Sequence, residues 1–172
     1  FWETVFFVPA FTGLGSSSTF TVSLLHALHA YKGEHVKPLQ LAYEAIHIER
    51  GVLGENVGCQ DQTTAAVGGF NVIEFNTETD FRVHPLKLRP ERIAELQSHL
   101  LVVYTGVRRR ADDIEANKMK AFVQNRGTLQ QMRRMVDRGR DLLVDGGSLE
   151  PFGRLLQEAW NAKRSLDATV SN

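Results

Sequence analysis

Cysteine is almost missing from this chain. Cys59 is alone among 172 residues, so neither an internal disulfide nor a cysteine-based zinc site is available, and a reducing, cytoplasmic setting fits. An excess of one charge is missing too. Lys+Arg and Asp+Glu both number 20, a balance that gives no support for nucleic acid or an anionic membrane as the main partner. No stretch approaches the ~18 apolar residues that a membrane span requires. The opening run Phe1-Trp2-Glu3-Thr4-Val5-Phe6-Phe7-Val8-Pro9 is apolar but short and has no basic start, so it is a poor signal peptide and reads as a strand of a larger sheet. What remains is a 42% hydrophobic chain, long enough for one domain or two small ones.

The β-branched and aromatic residues 3–8 predict a strand ending at Pro9. After Gly13 and Gly15 a helix is expected from Ser17 to Tyr31, with Phe20, Leu24, Ala27, Leu28 and Tyr31 at helical spacing. Pro38 suits the first turn of a second helix whose apolar face is Leu39, Ala42, Ala45 and Ile46. A short helix over Gln62–Val67 should precede two strands, Asn71–Phe75 and Phe81–Leu86. Another short helix around Pro90–Gln97 leads to an apolar strand, Leu100–Tyr104, and then to helices over about 109–123, 128–144 and 149–168. The order is that of an α+β chain without repeats, with a boundary near residues 76–100.

Between the first strand and helix lies Gly13-Leu14-Gly15-Ser16-Ser17-Ser18. Glycines allow the backbone to approach a ligand closely. The unpaired first amides of a helix and its dipole favour an anion there. No Lys follows the second glycine, which excludes a Walker A loop, and a third glycine is missing for a dinucleotide fingerprint. On these residues alone, an anion site and a tight turn with a Ser N-cap are equal readings.

Glu49 continues the Ala42, Ala45, Ile46 stripe, where a carboxylate is costly unless paired or metal-bound; the plainer reading is a surface residue at a fraying helix end. Asp61 is either the N-cap of the Gln62–Val67 helix or a group that orients or deprotonates a substrate hydroxyl, with Glu49 then holding Mg²⁺ against ATP phosphates. His26 with His29, and Glu44 with His47, have helical spacing but no third metal ligand at a matching position. Arg108-Arg109-Arg110 is either a solvated face or a reader of a phosphorylated substrate. No Ser–His–Asp or Cys–His arrangement is suggested.

Pro9 through Ser17 resembles the P-x-x-x-G-L-G-S-S hallmark of the GHMP kinase superfamily, and the Glu49-to-Asp61 interval and the Asp61-Gln62 pair are similar to those of galactokinases. The segments His47-Ile48-Glu49, Gly58-Cys59-Gln60-Asp61-Gln62, Gly68-Gly69-Phe70-Asn71 and Tyr104-Thr105-Gly106 look like those of the bacterial D-glycero-D-manno-heptose 7-phosphate kinases. So do Trp160 and Lys163-Arg164-Ser165-Leu166; Cys59 departs from that family, which usually has a basic residue there.

The resemblance implies a two-layer sandwich of mixed sheet and helices, followed by a largely helical part of a second domain. Residues 1–88 would be the central part of the N-terminal ATP-binding domain and 89–172 the start of the C-terminal domain. It further implies that both ends of the enzyme extend beyond this sequence, including a segment that carries sugar-binding residues. The loop Gly13 to Ser18 would wrap the ATP phosphates, Ser17 and Glu49 would hold Mg²⁺, and Asp61 would act on the acceptor. Gln62, Gly106, Arg108 and Arg109 would face the substrate. The implied reaction is ATP-dependent phosphorylation of the anomeric C1 hydroxyl of a heptose 7-phosphate, for nucleotide-activated heptose and surface polysaccharide. The alternatives are a galactokinase-like or fucokinase-like enzyme and a non-catalytic nucleotide-binding protein. Expected partners are ATP and a phosphorylated sugar, with no nucleic acid and no membrane; a homodimer is left open.

Overall fold

A computed structural model of the chain describes residues 15–77, 80–103 and 125–166. The expected strand at 3–8 and helix at 109–123 lie outside the described residues. Those described fall into two compact units, one of 15–69 and one of 70–77, 80–103 and 125–166. Helices and a two-stranded antiparallel sheet make the class α+β, as expected. Among the described residues no helix is long and apolar enough to cross a membrane.

The first unit holds α1 (Ser16–Tyr31), α2 (Pro38–Ile46), a π-helical turn (His47–Val52) and α3 (Gln60–Val67). Pro38, with no amide hydrogen to lose, opens α2 at its first turn. The buried face of α2 is Leu41, Ala42, Ala45 and Ile46. Both alanines are fully enclosed, and their small side chains let α1 and α3 pack closely against α2. Leu39, expected on this face, is 41% exposed, because Leu41 and Ala42 set a stripe rotated away from it. The stripe expected on α1 also differs: Ser18 and Val22 are its buried residues, while Phe20, Leu24, Leu28 and Tyr31 are exposed.

His29 ties this unit together. Its Nδ1 lies 2.7 Å from Glu34 Oε2 and its Nε2 2.7 Å from Glu44 Oε2, joining α1 to the following loop and to α2. The hydrogen bonds to Glu44, first, and Glu34 raise the imidazole pKa above its ordinary value, since both ring nitrogens must donate. In return His29 holds the Glu44 carboxyl down, and Lys32, followed by His29, does the same for Glu34. This arrangement accounts for His29 as a charged strut rather than half of a metal pair.

The second unit opens with the hairpin of β1 (Asn71–Phe75) and β2 (Phe81–Pro85). Its register pairs Ile73 with Val83 and Phe75 with Phe81, whose rings lie 5.6 Å apart between centroids. Three helices follow: α4 (Pro90–Ser98), α5 (Arg126–Val144) and α6 (Glu150–Leu166). Leu96, Leu143 and Leu149 form one buried cluster, and Met135, Leu155 and Ala162 another. Burial of each large apolar side chain contributes about 1.5–3 kcal/mol.

Arg92 joins α4 to the end of α5. Only 4% exposed, it donates to the carbonyls of Leu142 at 2.9 Å, Leu143 at 3.2 Å and Gly147 at 2.8 Å, and to Glu95 Oε2 at 2.7 Å. The guanidinium thus serves carbonyls that the end of a helix leaves unpaired.

The strand expected at Leu100–Tyr104 is not formed over its described part. Residues 100–103 have no regular structure, and Leu101 and Val102 are 86% and 83% exposed. A β-branched apolar run becomes a strand only against a ladder partner, and among the described residues it has none.

Candidate active site

The start of α1 rests on Gly15, which adopts φ 67° and ψ 25° and caps the helix with no side-chain hydrogen bond. The Ser N-cap considered from the sequence is therefore corrected: a left-handed glycine performs the turn, leaving the serine hydroxyls inside the helix. Gly15 also lies directly against Asp61. A Cβ placed on it would stand 3.2 Å from Asp61 Oδ2 and 3.3 Å from Cγ. Asp61 is not an N-cap either, because α3 begins at Gln60 with Cys59 as its cap and Asp61 falls in the first turn. Its carboxylate is thereby left to face the glycine turn.

Glu49 is not a surface residue at a fraying end. It is 2% exposed and sits in the π-helical turn, where Leu53 N–H donates to Ile48 O at 2.8 Å. Such wide turns place side chains where an α-helix would not. Glu49 Oε2 accepts from Ser18 Oγ at 2.9 Å and from the Gln62 amide. Glu49 Oε1 is buried and has no hydrogen-bond partner among the described residues, and the same holds for Gln62 Oε1.

Three helices therefore converge here. α1 brings Ser18, the π-helical turn after α2 brings Glu49, and α3 brings Asp61 and Gln62. Ser18, rather than Ser17, meets Glu49; Ser17 is exposed on the neighbouring side of the helix. Gln62, expected toward the substrate, is 1% exposed with its amide turned to Glu49. Thr63, which the sequence reading passed over, is fully buried and donates to Cys59 O at 2.7 Å, bracing the first turn of α3. The sequence signal for both was a polar pair that the helix turns inward once it starts at Gln60. Gly13, Leu14, Gly106, Arg108 and Arg109 lie outside the described residues.

The donor set suits a hard divalent cation. A buried carboxylate with one orphaned oxygen, next to the Ser18 hydroxyl, matches the oxygen ligands of Mg²⁺, which keeps water and substrate phosphates in the rest of its shell. Among the described residues no three His, Cys, Asp or Glu side chains assemble into a complete metal cage.

These residues lie in a segment with a recognisable relationship. Residues 6–69 match the model of the GHMP kinases N terminal domain. It is 31% identical over 168 residues to the D-glycero-alpha-D-manno-heptose 7-phosphate kinase of Campylobacter jejuni, covering 96% of this chain and 49% of that protein. It is 27% identical over 175 residues to the bifunctional fucokinase/GDP-fucose pyrophosphorylase of Arabidopsis thaliana, covering 96% of this chain and 16% of that one. The L-fucokinase/L-fucose-1-P guanylyltransferase of Bacteroides fragilis is 27% identical over 168 residues, with 94% and 17% covered. The chain thus spans about half the length of the first relative and about a sixth of the other two.

Proposed function

We propose that this chain is part of an ATP-dependent sugar kinase that phosphorylates the anomeric C1 hydroxyl of D-glycero-D-manno-heptose 7-phosphate, toward nucleotide-activated heptose. The observation that carries the proposal is the convergence of Gly15, Ser18, Glu49 and Asp61 at the start of α1. The relative named as a heptose 7-phosphate kinase, matched along 96% of this chain, supports the choice of sugar. A fucokinase is the second reading, favoured by the two fucokinase relatives.

In this reading the turn from Gly13 to Ser18 and the first amides of α1 bind the ATP phosphates. Glu49, with Ser17 or Ser18, holds Mg²⁺, which when bound neutralises charge on the transferring phosphoryl group. Asp61 accepts the proton of the acceptor hydroxyl, or orients it, at the turn that binds the phosphates. Arg108 and Arg109, with Gly106, receive the sugar and its distal phosphate. The family match over 6–69 supports 1–88 as part of the N-terminal domain, with 89–172 opening the C-terminal one. A reducing cytoplasm suits the single thiol.

The test is phosphoryl transfer by the intact protein, assayed with heptose 7-phosphate and with L-fucose. Turnover of the heptose with Mg²⁺–ATP, lost by more than about 100-fold in Asp61→Ala, is the expected result. Near-normal turnover of that variant would remove Asp61 from the reaction, and preference for fucose would select the second reading.

A further inference from the structure

Gln62 and Glu49 are, with Thr63, the largest fully enclosed side chains among the described residues. A buried carboxylate needs compensation. Here it comes from two neutral donors on one oxygen: the Ser18 hydroxyl at 2.9 Å and the Gln62 amide. Neither adds a positive charge. Oε2 is thus occupied, and Oε1 is left without a partner among the described residues. An amide is suited to this position, since it donates strongly without competing with a cation for the charge.

We propose that Gln62 is a positioning residue: it fixes the rotation of Glu49 so that Oε1 is presented to the divalent cation carried by ATP. This inference rests on the reading of Glu49 as a cation ligand. It also gives α3 two tasks in successive residues, because Asp61 faces Gly15 while Gln62 reaches Glu49. The carboxylate serving the cation and the carboxylate serving the acceptor are then held by one helical turn.

The experiment measures Mn²⁺ binding to the intact protein in the presence of a non-hydrolysable ATP analogue, alongside thermal unfolding without nucleotide. Gln62→Met removes the donor at similar volume and should weaken Mn²⁺ binding about 10-fold or more, leaving the KM for sugar unchanged. Gln62→Asn keeps the amide but shortens its reach; its Mn²⁺ binding should weaken as well with the sugar KM again unchanged, a split that a purely structural role would not produce. Should the methionine variant fail to fold, Gln62→Asn decides alone. Unchanged Mn²⁺ affinity in a folded variant, or a raised sugar KM in its place, would overturn the proposal. Glu49→Gln separates the two levels. If it binds Mn²⁺ normally, the underlying reading of Glu49 fails; if it loses Mn²⁺ while the Gln62 variants do not, only the positioning role fails.

Discussion

Replacing Gly15 with alanine perturbs backbone and carboxylate together, and Gly33 provides the control that separates them. Both glycines are left-handed, at φ 67° and 73°. Alanine there costs about 1–2 kcal/mol, offset by about 0.4–1 kcal/mol from the less flexible unfolded chain. The net loss is about 1 kcal/mol, or roughly 2–4 °C in Tm for a chain of this size. At Gly33 a new Cβ meets nothing within 4 Å, so Gly33→Ala should show that loss alone. At Gly15 the same Cβ would stand 3.2 Å from Asp61 Oδ2, closer than such contacts settle, so the carboxylate must shift by a few tenths of an ångström. Misplacement on that scale should lower kcat about 10-fold. The assay is paired thermal unfolding and steady-state phosphoryl transfer on the intact protein, at a temperature where all forms are folded. Equal activity in Gly15→Ala and Gly33→Ala would refute the claim that the turn sets the position of Asp61.

Two further predictions concern stability. Arg92→Met leaves the carbonyls of Leu142, Leu143 and Gly147 without their shared donor, and denaturant unfolding should register a loss on the order of 3 kcal/mol. A loss within experimental error would mean that solvent serves those carbonyls equally well. His29→Gln should change how stability depends on pH. Because the folded-state pKa of His29 is raised from 6.5, its contribution is complete below 6.5 and fades as pH rises through the raised value. Glu34 and Glu44 are lowered from 4.5, so their part persists above 4.5 and fades as pH falls through the lowered values. The Tm difference between wild type and variant should therefore be greatest between 4.5 and 6.5; parallel Tm–pH curves would rule the strut out.

Much of the helical order was legible because α1, α2 and α3 carry their own start and stop signals, Pro38 above all. The hairpin was legible because two β-branched runs flank a polar turn. The run at 100–103 misled because strand propensity needs a partner that local sequence does not name. Which serine meets Glu49 was not legible either. Adjacent helical residues differ by about 100° in direction, so the choice of Ser18 over Ser17 depends on the Gly15 cap rather than on the motif. The inward turn of Gln62 escaped for a related reason: it follows from α3 beginning at Gln60. Asp61 and Glu49 were visible as candidates, but their alternatives as cap and surface residue could be set aside only once helix starts and burial were known.

The π-helical turn makes the stretch from Leu41 to Glu55 behave as a ruler. Glu49 is gripped through its carboxylate by Ser18 and Gln62, and through its own carbonyl by the Glu55 N–H at 2.9 Å. Many substitutions on the outer side of α2 would leave that grip intact. Removing a single residue between Ile46 and Glu49 would swing the carboxylate about 100° around the helix axis, away from both donors at once. Homologous chains should therefore vary in composition on the outer side of this stretch while keeping its length.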